Sequence, residues 1–187
     1  GKWFGIEHSG IKPDIMTMAK GLTCGYAPLG AVIVNKKIAK YFDENVLNCG
    51  LTYSAHAVSL AAAKACIEVY EKENLIERSR EMGKYLKKEL LKLKKKHPSL
   101  GDIRGEGMHF VLDLVKDKKL TPLSDWNMPF SPSMKKVNKV LKDNKLQTIT
   151  RWNLIFITPP LIITKEQLDK GLSIIDKALI QADKYFK

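Results

Sequence analysis

Two short apolar runs, Ile15–Ala19 and Ala31–Val34, flank a stretch unsuited to helix or strand, because residues 21–30 hold Gly21, Gly25, Pro28 and Gly30. Apolar runs of this length, closed off by turn formers, read as strands covered on both faces, as in an α/β layer. The glycine- and proline-rich piece between them reads as a loop. Lys20 sits at the seam, directly after the first run and directly before Gly21. A primary amine at the mouth of a buried strand, with a glycine beside it to clear space, is placed to form an imine with a carbonyl compound. It does so only if its surroundings keep it uncharged for part of the time. On position alone, a solvent-facing lysine at a strand end is the plainer reading.

The α/β character continues to about residue 74. Residues 54–70 read as a helix rich in alanine (Ala55, Ala57, Ala61, Ala62, Ala63 and Ala65), and its small side chains predict a helix buried close against a sheet. From Asn74 the pattern changes. A long helix is expected from about Leu75 to Lys96, stopped at His97-Pro98 where proline forbids continuation. Ile103–Val115 contains the alternation Phe110-Val111-Leu112-Asp113-Leu114-Val115 and reads as a strand, and 116–131 reads as a loop. Ser131-Pro132 gives an N-cap followed by proline at the first helical position, opening a helix to about Asn144. Leu154–Thr158 reads as a strand ended by Pro159-Pro160. Thr164 and Gln167 form a capping box before a last helix, whose apolar residues Leu168, Leu172, Ile175, Leu179 and Phe186 follow helical spacing. The expected division is therefore 1–74, α/β, and 75–187, a small α+β layer with helices over an antiparallel sheet.

Composition narrows the function classes. Among 187 residues, 32 basic and 20 acidic side chains leave a net charge of +12, which would suit nucleic acid or an anionic surface. Many of the lysines (Lys84, Lys87, Lys88, Lys92, Lys94, Lys95, Lys96) alternate with Leu86, Leu90 and Leu93 on one helix, which describes the wet side of an amphipathic helix. Few aromatics are interleaved to stack on bases, so no nucleic-acid partner is expected. Cys24, Cys49 and Cys66 have no metal spacing, and His8, His56 and His109 read as packing or hydrogen-bonding residues. The longest small-apolar run, Ala57–Tyr70, is too short for a membrane span and contains Lys64 and Glu68. With no signal-peptide pattern, a reducing cytoplasm is the expected compartment. The chain starts at Gly1, not at a methionine, and reads as cut from something longer.

The wording around Lys20 sharpens these readings. The segment Lys12-Pro13-Asp14-Ile15-Met16-Thr17-Met18-Ala19-Lys20-Gly21-Leu22, followed by Gly25-Tyr26-Ala27-Pro28-Leu29-Gly30-Ala31-Val32, resembles the lysine segment of class III pyridoxal-phosphate-dependent aminotransferases. These include the omega-amino-acid:pyruvate, ornithine and 4-aminobutyrate enzymes of fold type I. Gly1-Lys2-Trp3-Phe4-Gly5, Thr52-Tyr53-Ser54-Ala55-His56, Asp102-Ile103-Arg104-Gly105-Glu106-Gly107 and Pro159-Pro160-Leu161-Ile162-Ile163-Thr164 continue the resemblance in the same order. The wording is most similar to the omega-amino-acid or taurine:pyruvate subgroup. The resemblance implies the C-terminal part of a fold type I large domain in 1–74, then the small C-terminal α+β domain in 75–187.

It also implies roles. Lys20 matches the Schiff-base lysine that holds pyridoxal 5′-phosphate and then moves a proton between the substrate carbon and the cofactor. Thr52 matches the threonine that hydrogen-bonds the cofactor phosphate, typically in the neighbouring subunit's site, and a homodimer is implied with it. The alternative for Thr52 is that it only caps the helix that follows. This chain reads His56-Ala57 where the family usually has histidine-proline. Arg151 lies where an arginine of omega-aminotransferases can clamp a substrate carboxylate through two parallel hydrogen bonds, the alternative being a surface residue paired with an acid. Arg104 reads as structural, in a turn that its glycines permit. The activity implied is transfer of an amino group from an amine or omega-amino acid to an oxo acid. Two alternatives stand beside it: another class III reaction (a mutase or racemase), or a truncated non-catalytic remnant acting as a dimerising or basic binding module. The family's glycine/serine phosphate loop, ring-stacking aromatic and pyridinium-pairing aspartate have no match in the chain. The 187 residues alone are therefore expected to be inactive.

Overall fold

Phe110, Leu112 and Leu114 are buried and alternate with Val111 and Asp113, which are not, so this strand shows one face to a core and the other outward. The computed structural model describes residues 1–187 as two units, Lys2–Ile76 and Glu77–Lys187, the latter joined by Gly1.

In the unit from Glu77 onward, β3 (Leu100–Glu106), β4 (His109–Leu114), β5 (Thr150–Arg151) and β6 (Leu154–Ile157) form an antiparallel sheet in the order β3-β4-β6-β5. Registers Phe110↔Ile157 and Leu112↔Ile155 bring the buried residues of neighbouring strands side by side. The long helix α3 (Leu75–Lys96), α4 (Pro132–Asp143) and α5 (Lys165–Asp183) supply the facing layer. Leu86 and Leu90 of α3, Met134 and Val137 of α4, and Ala178 and Leu179 of α5 are fully buried in one cluster with the strand residues. Burying a leucine this completely stabilises by about 1.5–3 kcal/mol.

Local signals set the helix limits. Ser131 accepts from the Met134 N–H with Pro132 at the first helical position, and Thr164 and Gln167 exchange their capping-box hydrogen bonds at 3.2 and 3.0 Å. The strand expected over Ile103–Val115 is two strands, because the chain reverses at Gly107. Gly105 and Gly107 have φ of +149° and +57°, and a Cβ at Gly105 would collide with the His109 carbonyl. Gly83 lets α3 approach that reversal: a Cβ there would lie 2.5 Å from the Gly107 carbonyl oxygen. Arg78 of α3 donates to the carbonyls of Leu161, Ile162 and Ile163 at 2.8–3.2 Å, which fixes the segment after Pro159-Pro160.

His97, where α3 stops, is 2 % exposed. Its Nδ1 lies 2.6 Å from Asp183 and its Nε2 lies 2.7 Å from Asp176. A carboxylate only accepts, so both contacts are made together only when each ring nitrogen carries a hydrogen. Burial pushes the Asp176 carboxyl up, but hydrogen bonds from Lys96 and His97 together outweigh it and hold it below its ordinary value.

The unit Lys2–Ile76 holds β1 (Ile15–Met18) and β2 (Ala31–Val34), paired antiparallel with Ile15 opposite Val34, then α1 (Lys36–Tyr41) and α2 (Ala57–Lys72). Here two expectations are corrected. The strands are not covered on both faces, with Ile15, Val32 and Ile33 all more than half exposed. The alanine-rich helix is not buried either: Ser59 and Ala63 are its buried residues, and Val58 is 70 % exposed. The reason is shared, since a two-stranded ribbon has no layer on each side to cover it. No helix in the chain is long and apolar enough to cross a membrane.

Candidate active site

β1 ends at Met18, and Ala19 is still extended. Lys20 then turns into the left-handed region at φ +48°, a conformation that costs a lysine of order 1 kcal/mol and marks a backbone held by its surroundings. It opens a short 3-10 turn, Lys20–Leu22, and the loop continues through Cys24 and Gly25, both also at positive φ. Thr23 is the anchor of this loop. It is 2 % exposed, and its hydroxyl donates to the Ala27 carbonyl at 2.6 Å. From α2, the Tyr70 hydroxyl donates to the Gly21 carbonyl at 3.1 Å and lies 2.9 Å from the Cys24 sulfur. The Trp3 ring meets Tyr70 edge-on, centroids 5.9 Å apart.

Lys20 therefore stands on a pinned turn. Its side chain is exposed and its amine has no hydrogen-bond or ion-pair partner. The expectation of a buried strand behind this amine is corrected, because the ribbon it projects from is itself open to solvent. Nor does Gly21 clear a tight space, since a Cβ there would meet only the Tyr70 hydroxyl, at an ordinary 3.8 Å.

Thr52 lies in a turn over 52–55, exposed, with no partner for its hydroxyl. The helix that follows starts at Ala57, and its N-cap is His56, which makes no side-chain capping bond. Thr52 is thus not the cap of α2, which removes that alternative. The first N–H groups of α2 are left without a side-chain acceptor, as suits an anion. Lys20 and Thr52 belong to the same unit, and no hydrogen bond joins them.

Arg151 belongs to the other unit, on β5 opposite Leu154. It is exposed and pairs with no acid, against the alternative of a salt-bridged surface arginine. With Met128, Pro129, Phe130, Thr150 and Trp152 it lines a shallow groove of about 370 Å³, beside which the rings of Trp126 and Trp152 lie 5.3 Å apart. Arg104 pairs with Asp113 at 2.9 Å across β3 and β4, a structural contact. Sequence reasoning passed over Tyr70. Its one signal is the helical spacing that puts Cys66 and Tyr70 one turn apart on the same face of α2.

Within Lys2–Ile76, an amine free of partners on a fixed turn and an unpartnered hydroxyl before an uncapped helix can bind a carbonyl and a phosphate; within Glu77–Lys187, an unpaired guanidinium in an aromatic groove can bind a carboxylate. Comparison with known proteins gives these groups a context. A profile of the family described as Aminotransferase class-III matches residues 1–179. The taurine–pyruvate aminotransferase of Bilophila wadsworthia is 32 % identical over all of this chain and 42 % of its own length. The leucine/methionine racemase of Thermococcus litoralis is 34 % identical over 98 % of this chain and 40 % of its own length. The solved taurine:2-oxoglutarate aminotransferase of Bifidobacterium kashiwanohense, in complex with PLP and glutamate, superposes with a TM-score of 0.91. It is 37 % identical over 100 % of this chain and 42 % of that chain. The chain spans about two fifths of the length of the relatives it matches.

Proposed function

The chain belongs to the class III aminotransferase family, and from that premise we propose that, within a protein of its relatives' length, it carries the lysine that anchors pyridoxal 5′-phosphate for amino-group transfer. The observation that carries the reading is the Lys20 amine, exposed and unpartnered on a turn held from α2 by Tyr70. In this reading 2–76 is the C-terminal part of a fold type I large domain and 77–187 the small C-terminal domain.

The residues present fit such a cofactor chemically: an amine for its aldehyde, a hydroxyl and bare N–H groups for its phosphate. When bound, the cofactor supplies an electron sink for the bond broken at the substrate's amine-bearing carbon. Lys20 would hold it through Nζ, and the same Nζ would take the proton from that carbon and deliver it to the cofactor, the transfer that amino exchange requires. The remaining large domain provides the desolvation this role needs, which the open ribbon does not. The Thr52 hydroxyl and the N–H groups at the start of α2 bind the phosphate, with a second copy of the protein as the site's other contributor. Arg151 clamps the carboxylate of the oxo acid through two parallel hydrogen bonds, a geometry lysine cannot supply. The proposed donor class is an amine carried at a distance from an acidic group, as in taurine with its sulfonate, in line with two of the relatives named.

The test is turnover of the full-length protein, loaded with cofactor, on taurine and omega-amino acids against pyruvate and 2-oxoglutarate. Lys20→Ala should lower kcat at least 10³-fold, while Arg151→Lys should raise KM for the oxo acid about tenfold with less effect on kcat. The relationship to the racemase favours a second reading, in which the same lysine moves the proton without net amino transfer. Inversion of a chiral amino acid with no oxo acid added would select it. The 187 residues alone should show no turnover in either assay.

A further inference from the structure

Cys24, Cys66 and Tyr70 converge on the turn that carries Lys20, and the proposed reaction uses none of them. Cys24 is exposed, two residues beyond the 3-10 turn, at φ +51°. Its sulfur lies 2.9 Å from the Tyr70 hydroxyl and 3.6 Å from the Gly21 carbonyl. Cys66 is half-buried on α2, one helical turn before Tyr70 and so on the face that meets the loop. The two thiols flank one phenol. That phenol is pushed up to about 12, first by its hydrogen bond to Cys24, then by burial and by the charges of Cys24 and Cys66. Burial pushes the Cys66 thiol up, and the adjacent Cys24 adds to the effect.

We propose that Cys24 and Cys66 are a dithiol modification site, which closes into a disulfide between the Lys20 turn and α2 when it meets a small-molecule disulfide. Cys24, the exposed thiol, reacts first. Its thiolate attacks one sulfur of the oxidant, whose S–S bond breaks and releases one small thiolate. Cys66 then loses its proton and attacks the Cys24 sulfur, expelling the second small thiol. Two protein thiols are oxidised, one external disulfide is reduced, and the two protons end on the released thiols. Tyr70 holds Cys24 within reach, so the closed form fixes the turn that Tyr70 fixes by a hydrogen bond in the open form. This site stands whether or not Lys20 carries a cofactor.

The three cysteines fall in separate tryptic peptides: Gly21–Lys36, Tyr41–Lys64 and Ala65–Lys72. The full-length protein is incubated with oxidised glutathione, blocked with N-ethylmaleimide and digested without reductant. Mass spectrometry should find Gly21–Lys36 joined to Ala65–Lys72 at least tenfold more than any pair involving Cys49. In urea that preference should vanish. Cys66→Ala should leave Cys24 as a single glutathione adduct, and Tyr70→Phe should slow the closing step several-fold without changing the partners. Separate adducts on Cys24 and Cys66 that never join would overturn the proposal. So would equal linkage to Cys49 or another cysteine.

Discussion

The two units of this chain handle their apolar residues in opposite ways. From Glu77 onward the apolar faces of α3, α4, α5 and the sheet meet in one cluster, and residues such as Leu86, Phe110 and Leu179 are buried completely or nearly so. Between Lys2 and Ile76 the buried residues are Thr23, Ser59, Ala63 and Leu75, while Tyr26 and Val46 are more than four-fifths exposed. The first unit has its own source of hydrophobic stabilisation, and the second has little. Exposed apolar surface on this scale marks a face built to be covered. The lysine of the proposed reaction stands on the unit that lacks its cover, so the proposed chemistry needs a desolvation that this unit does not itself supply.

The sharpest way to break this contrast is to separate the units. Residues 77–187 alone should unfold cooperatively in urea, with β and α circular dichroism lost together, whereas 2–76 alone should show no cooperative transition. A cooperative melt of 2–76 would end the comparison. Next in size, Phe110→Ala should destabilise the 77–187 unit by about 3–5 kcal/mol, because the cavity sits under a closed core. Val58→Ala on the open face of α2 should change the urea midpoint of the whole chain by no more than about 0.5 kcal/mol equivalent.

Between these two in size lies an effect of charge. Asp176→Asn leaves one ring nitrogen of the buried His97 facing an amide, and should cost about 2–3 kcal/mol. The pH dependence follows from the direction of the Asp176 shift. Its folded carboxyl lies below the ordinary value near 3.8, so below that value the unfolded chain binds the proton more readily. The stabilisation is complete above the ordinary value and lost as pH falls through the folded one. Urea midpoints between pH 6 and 2 should therefore fall less steeply at the acid end in Asp176→Asn than in the parent. An effect of about 1 kcal/mol, smaller than that of Asp176→Asn, is expected for Thr164→Ala, which removes one half of the α5 capping box.

What could be read from sequence was what is local. The end of α3 at His97-Pro98 and the caps Ser131 and Thr164 depend on a few neighbouring residues, and the structure places them there. The turn read at the glycines after Arg104 is there, but that it joins two paired strands was missed, because the stretch before it carries no alternation of its own and Ile103–Val115 reads as one strand. β5 was missed because two residues carry no periodicity. The contacts of His97 with Asp176 and Asp183, 79 and 86 positions away, leave no local trace, nor does the reach of Tyr70 to Gly21 over 49. Burial in 2–76 was overestimated for a different reason. Apolar runs report what a strand is suited to meet, and here the layers that would meet it are not within these residues. At the proposed site, the motif singles out Lys20, but the exposure of its amine has no local signal.

The most direct test is reductive trapping. The full-length protein, loaded with pyridoxal 5′-phosphate and treated with borohydride, should carry the cofactor's mass at Lys20 and at no other lysine, with Lys20→Ala unlabelled. Label on a different side chain, or none on a folded and loaded protein, would contradict the account.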